Sequence, residues 1–309
     1  MTRNDDHRTP LMLAATASVA VALLLILVKA LAWVMTGSVS LLASLIDSVM
    51  DSLASLINFA AVRYALVPAD AEHRFGHGKA EALAGLGQAL LIAVSSLLLI
   101  WKAGEKLLEP RPIEDSAVGI AVMVFSIIVT ALLVLLQRRV IRRTGSTAIQ
   151  ADALHYAGDL AMNLSIIVVL FLGGLGFDRL DGIAGLLIAL LILYSSARIG
   201  WQSMQILLDR ELPGEVRDGI SALVAADEQA LGFHDLRTRR SGQTWFVQLH
   251  VDMDRDLPLH EAHAMGERIR GAIRRRYPQA EVIIHHDPVS KTAQVPVIAK
   301  QQGGDSAAQ

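Results

Sequence analysis

The 309-residue chain contains no cysteine, which removes thiolate metal ligands, structural disulfides and a thiol nucleophile together. Any metal site must therefore use His, Asp and Glu, a harder set suited to Zn, Fe(II) and Mn rather than to Cu(I). Net charge is almost absent too. With 28 Lys and Arg against 30 Asp and Glu, no global field draws nucleic acid or acidic substrates, and no nucleic-acid partner is expected. What the sequence does have is apolar bulk: 53% hydrophobic residues and a mean hydropathy of +0.44, concentrated before Asp209. A soluble fold is not expected for that part.

A bilayer core about 30 Å thick needs roughly 20 apolar residues in helix, because each advances about 1.5 Å. Six stretches qualify: Leu11–Met35, Val39–Leu66, Ala80–Leu107, Ala117–Leu136, Ala148–Leu172 and Ile183–Leu208. Nothing alternates with the period of a barrel strand, so the spans read as helices. The first apolar run is too long for a signal peptide and lacks a small-residue cleavage site after it. Arg3, Arg8, Arg74, Lys79, Arg138, Arg139, Arg142 and Arg143 fall on one side, against Lys106, Arg111 and Arg179 on the other. The positive-inside rule then places both termini in the cytosol.

From Asp209 the composition becomes that of a soluble domain. Pro213–Asp227 reads as a helix, followed by strands His234–Arg240 and Thr244–Asp252 around a turn at Ser241 and Gly242. In the second strand Trp245, Val247, Leu249 and Val251 alternate with Phe246, Gln248, His250 and Asp252, which puts the first set on a core face. A helix Leu259–Tyr277, apolar at Ala262, Met265, Ile269 and Ile273, precedes a last strand Ala280–His286. The expected fold is a membrane all-α six-helix bundle with a C-terminal cytosolic α+β domain, αββαβ, of the ferredoxin-like or metallochaperone-like kind. The expected layout is a cytosolic N-terminus 1–10, a transport domain 11–208, a regulatory domain 209–290 and a disordered tail 291–309.

Ionisable residues inside spans cost at least about 2.5 kcal/mol each on insertion scales, so each demands a reason. The second span carries Asp47 and Asp51, and the fifth carries Asp152, His155 and Asp159. Asp47 and Asp51 are four apart, as are His155 and Asp159, so each pair projects from one helical face. Opposed, the two faces offer three carboxylates and one imidazole, a set suited to tetrahedral coordination of a divalent ion. Ser44, Ser48, Ser52, Ser55 and Asn58 extend one polar stripe and Asn163 the other, as a wet pathway through a bundle requires. Three other readings compete. The residues could glue helices together, with Lys29 among the partners. They could form an aspartyl protease dyad, although that needs only two acids sharing a proton. A membrane metallohydrolase would need an open coordination position, a base and a cleft, and no such constellation is visible.

These residues resemble the cation diffusion facilitators, and within them the bacterial zinc and ferrous-iron efflux branch. The likeness rests on Asp47-x-x-x-Asp51, His155-x-x-x-Asp159, the loop PADAEHRFGHGKAE from Pro68 to Glu81, and HDLRTRRSG from His234 to Gly242. It implies that Asp47, Asp51, His155 and Asp159 are the transport site. Zinc-selective members carry His at the first position, so Asp47 implies a broader range that includes cadmium and ferrous iron. It further implies a loop site at Asp70, His73 and His77, and a charge interlock between Lys79 and Asp209 at a dimer interface. His234, His250, His263, His285 and Asp287 match a site where a bridging carboxylate holds two ions and one ligand reaches across the dimer. Six His between His234 and His286 also exceed what a surface acquires by chance. One departure is His286, where the branch is expected to carry an amide, and which is counted here as a candidate ligand of that cluster.

The implied function is a homodimeric metal(2+)/H+ antiporter of the bacterial inner membrane, not an enzyme, exporting Zn2+ with Fe2+ and Cd2+ as further substrates. Zn2+ is expected both as cargo and as regulator. A metal-gated channel or sensor is the main alternative, because selectivity filters and transport sites use the same groups.

Overall fold

The computed structural model describes residues 5–37, 39–108, 117–173 and 180–290. The expected tail 291–309 lies outside the described residues, as do Arg3, Arg111 and Arg179. The chain divides into two compact units at Leu208 and Asp209.

The first unit is built of six long helices: α1 Asp5–Thr36, α2 Val39–Ala65, α3 Lys79–Leu108, α4 Ala117–Thr144, α5 Thr147–Gly173 and α6 Leu180–Leu207. At about 1.5 Å per residue, even 27 residues exceed a 30 Å hydrocarbon core. Five of these helices are also apolar enough to cross a membrane. Their outward faces carry large apolar side chains such as Leu27, Leu31, Leu90, Leu97 and Leu191, each more than one third exposed, which suits lipid rather than water. The α5 helix holds Asp152, His155 and Asp159 in its first half. These charged groups are tolerated because α5 packs against all five other helices and its polar groups face protein. Close approach at one such contact depends on Gly85 of α3. A Cβ there would lie 3.0 Å from the Thr147 backbone of α5 and 3.0 Å from Ser203 Oγ of α6.

The second unit follows the expected αββαβ order: α7 Gly214–Ala225, β1 Gly232–Ser241, β2 Thr244–Asp254, α8 Leu259–Arg276 and β3 Ala280–Val289. The sheet runs β1-β2-β3, antiparallel between the first pair and parallel between the second, with α8 as the crossover. Ile220 and Val224 of α7, Val247, Leu249 and Val251 of β2, and Met265, Ile269 and Ile273 of α8 form the dry core. Phe246, on the opposite face of β2, is buried too, with the Arg239 guanidinium 4.5 Å from its ring centre. Gly242 takes a φ of +57° in the β1–β2 turn, a backbone conformation glycine enters without strain.

The link after α7 is clipped to α8 by a fork. Arg268 donates to both oxygens of Asp227 at 3.0 Å and to Gln229 Oε1 at 2.8 Å. The bond from Arg268 holds the Asp227 carboxyl below the usual carboxylate range. A carboxyl depressed in the folded state stabilises it above the unfolded pKa of about 3.9, and that contribution is lost as pH falls through the lower folded value. Asp227→Asn should therefore lower the urea midpoint of residues 209–290 at pH 7, with the gap to wild type closing below about pH 4. Urea titrations of both proteins across pH check this; a gap independent of pH would mean that the charge of Asp227 is immaterial.

Candidate metal centres

Within the first unit, α2 and α5 bring Asp51, His155 and Asp159 together, with one ligand atom from each lying within 4.8 Å of the others. His155 Nε2 is 2.8 Å from Asp51 Oδ1 and 3.7 Å from Asp159 Oδ2. The i, i+4 spacing puts His155 and Asp159 on one face of α5, as the sequence implies. Asp47, one turn before Asp51, stands outside this trio, but lines the same cavity of about 250 Å³. Ser44, Ser48 and Asn163 line it as well. Further along the α2 stripe, Ser52, Ser55 and Asn58 are all buried.

Two charged residues that sequence reasoning assigned to no site have defined places. Asp152, one turn before His155, is fully buried. Its carboxylate accepts from Ser18 Oγ at 2.6 Å, Gln137 Nε2 at 2.7 Å, Gln88 Nε2 at 3.3 Å and Ser55 Oγ at 3.4 Å. Those donors come from α1, α4, α3 and α2. Next to it, the Tyr156 hydroxyl lies 2.9 Å from Ser55 Oγ and donates to the carbonyl of Ser18 at 3.3 Å. Lys29 of α1 donates to Ser48 Oγ at 2.6 Å and to the Ser44 carbonyl at 3.2 Å, on the wall of the cavity that holds the acids. The sequence signal for both was their cost inside a span. Their partners, up to 134 residues away, were not readable.

The loop between α2 and α3 gathers Asp70, His73 and His77. His73 Nδ1 is 3.5 Å from Asp70 Oδ1, and His77 Nε2 is 3.4 Å from Asp70 Oδ2. The loop is shaped by Asp70 itself, whose Oδ1 accepts from the backbone amides of Glu72 and His73 at 3.0 and 2.6 Å. The bond from His73 holds the Asp70 carboxyl below its usual range, so it remains an anion well into acid. His77 is buried against Tyr64, and its Nδ1 lies 3.3 Å from the Val67 carbonyl. That contact aims Nε2 at Asp70. Lys79, which opens α3, donates to the Leu207 carbonyl at the end of α6. Asp209 pairs with Arg239 at 3.5 Å.

In the second unit the register His250↔His285 and Asp252↔Asp287 aligns alternate residues of β2 and β3 on one face. Both oxygens of Asp287 are approached: Oδ2 lies 2.8 Å from His250 Nδ1 and 3.2 Å from His234 Nε2, and Oδ1 lies 3.2 Å from His285 Nε2. Burial pushes the Asp287 carboxyl up, but the His250 bond and the neighbouring imidazoles outweigh it and hold the group low. A one-residue bulge between His234 and Arg237, with Asp235 at a φ of +51°, sits beside the cluster and sets the aim of His234. Asp252, buried and 3.6 Å from His234, is a neighbour that sequence reasoning left out. His263 stands apart on α8, 70% exposed and 3.8 Å from Glu267.

His286 corrects an expectation, because it does not join these ligands. Strand alternation turns it to the helix-packed face beside Val251, where its Nε2 lies 2.4 Å from where a Cβ on Gly266 would be. That nitrogen has no hydrogen-bond partner among the described residues, and burial first, with His263 and His285 adding to it, lowers the imidazole pKa.

Residues 15–208 match the cation efflux transmembrane domain, and residues 212–289 match the cation efflux protein cytoplasmic domain. The cation-efflux pump FieF of Shewanella oneidensis is 46% identical over 289 residues, which cover 94% of this chain and 98% of that one. Its namesake in Salmonella arizonae is 48% identical over 277 residues, covering 90% and 92%. The metal-bound C-terminal domain of the CzcD transporter from Thermotoga maritima is 27% identical over 24% of this chain and 87% of its own, with a TM-score of 0.23. Both halves of the chain are thus accounted for, and the chain belongs to the cation efflux family of transporters, the cation diffusion facilitators.

Proposed function

We propose that the protein exports divalent transition metal from the bacterial cytosol in exchange for protons, with Asp47, Asp51, His155 and Asp159 as the transport site. The observation that carries this reading is the convergence of Asp51, His155 and Asp159 within 4.8 Å, beside a cavity lined by Asp47, Asp51 and Asp159. Carboxylates confined together in a low-dielectric bundle must be compensated, by an ion or by protons. Metal entry and proton departure are then two halves of one exchange, because ligands must be deprotonated to bind. Alternating access is part of this reading, in a bundle where the acids line a cavity and Leu11, Ala14, Val62, Val140 and Ile149 form a dry cluster elsewhere. The donor set suits Zn2+, Fe2+ and Cd2+.

Asp70, His73 and His77 serve as a second site at the bundle's cytosolic rim, with the termini inside. His234, His250, His285 and Asp287 serve as a regulatory centre, in which Asp287 bridges two ions and the exposed His263 reaches a neighbouring copy. Metal on that centre draws two protomers together.

In proteoliposomes with an imposed pH gradient, wild-type protein should accumulate Zn2+, Cd2+ or Fe2+ at a rate that follows the gradient at clamped voltage. Asp51→Ala should lose at least about a hundredfold in rate, beyond the 10–100-fold that removal of an outer-shell partner costs. Flux that ignores the gradient would remove the antiport, and flux that survives the substitution would remove the site. A second expectation concerns the regulatory centre. His250→Ala with His285→Ala should abolish Zn2+-dependent dimerisation, read by light scattering, while binding attributable to Asp51 persists. A dimer equally responsive to Zn2+ would exclude that role.

A further inference from the structure

The transport-site cavity contains a cation of its own. Lys29 lies on its wall with Asp47, Asp51 and Asp159, and its ammonium is moored to Ser48 Oγ at 2.6 Å and the Ser44 carbonyl at 3.2 Å, both on α2. An ammonium in a span is costly unless it is compensated. Helix packing does not require one here, because Leu11, Ala14 and Ala15 of α1 already share an apolar cluster with Val62 of α2.

We infer that Lys29 is a tethered counter-ion that sets the charge balance of the transport site, so that one divalent cation brings it to neutrality and binds weakly enough to be released. The inference rests on the reading of the four residues as the transport site. Three carboxylates and one ammonium leave two negative charges, which a divalent ion cancels. Without Lys29 the loaded site would keep a net negative charge, and the cation would be held more tightly. The mooring matters as much as the charge. Ser48, itself buried on α2, keeps the ammonium on the wall rather than among the carboxylates, where it would occupy the ion's place. Lys29 thus acts through the site's field and is a positioning residue, whereas Ser48 controls its reach.

The two residues should therefore err in opposite directions. The readout is Cd2+ binding to the purified full-length protein in detergent micelles, by calorimetry, restricted to the component that Asp51→Ala removes. Lys29→Gln should tighten that component by about tenfold or more, the scale of one nearby charge acting on a divalent ion at moderate dielectric. Lys29→Arg should move affinity back towards wild type. Ser48→Ala should weaken the component severalfold, and in the Lys29→Gln background the same change should have no further effect. Weaker binding in Lys29→Gln, or a Ser48→Ala effect that persists without the lysine, would make Lys29 helix glue and overturn the inference. If Lys29→Gln fails to fold, the sign of Ser48→Ala in the wild-type background decides alone. A wild type with no Asp51-dependent component would overturn the transport-site reading instead, so the two failures are distinguishable.

Discussion

The hydrogen bonds converging on Asp152 are the constraint around which the bundle is arranged. A carboxyl with no solvent exposure, inside helices that lipid surrounds, is tolerable only if its lone pairs are engaged. The chain meets that demand with side chains from four helices, Ser18, Ser55, Gln88 and Gln137. Each donor helix is thereby held at a set depth and rotation relative to α5. His155 lies one turn further along and Asp159 two, so the hub that secures the helices also positions these two side chains. The contact of α5 with every other helix expresses the same requirement.

The soluble unit reaches an equally determined arrangement by different means. There the period of the strand does the sorting: His285 and Asp287 fall beside His250 and Asp252 on one face, and His286 falls beside Val251 on the other. Neighbours in sequence thus have opposite fates. One faces a carboxylate, and the next is pressed on a glycine of α8 with an unpartnered nitrogen. The glycine is required by that contact, since any side chain at Gly266 would meet the ring.

Much of this was legible in the sequence. Apolar run length gave the membrane helices, and alternation with turn residues gave the αββαβ order, because these depend on local periods of 3.6 and 2. The i, i+4 pairs were legible for the same reason, and Asp51, His155 and Asp159 do meet. The facing of His286 was legible too, since residues 285 and 287 must share a face that 286 cannot. The surroundings of Asp152 and Lys29 were not legible. A price inside the membrane is visible from residue identity alone, whereas the group that meets it stands on another helix, and no local period connects Asp152 with Ser18 or Lys29 with Ser48. Asp252 escaped for a related reason: an acid ending a strand reads as solvated until its neighbours are placed.

The cluster around Asp287 draws on every strand of the small sheet: His234 from β1, His250 from β2, and His285 with Asp287 from β3. Ions gripped there would tie the strands together crosswise, in the same direction as the ladder bonds. Slippage of one strand by a single residue would turn its ligand to the other face and empty the grip. With metal held there, the stiffness of the sheet would rise with the occupancy of the cluster, and the abundance of a metal would be read out as mechanical rigidity.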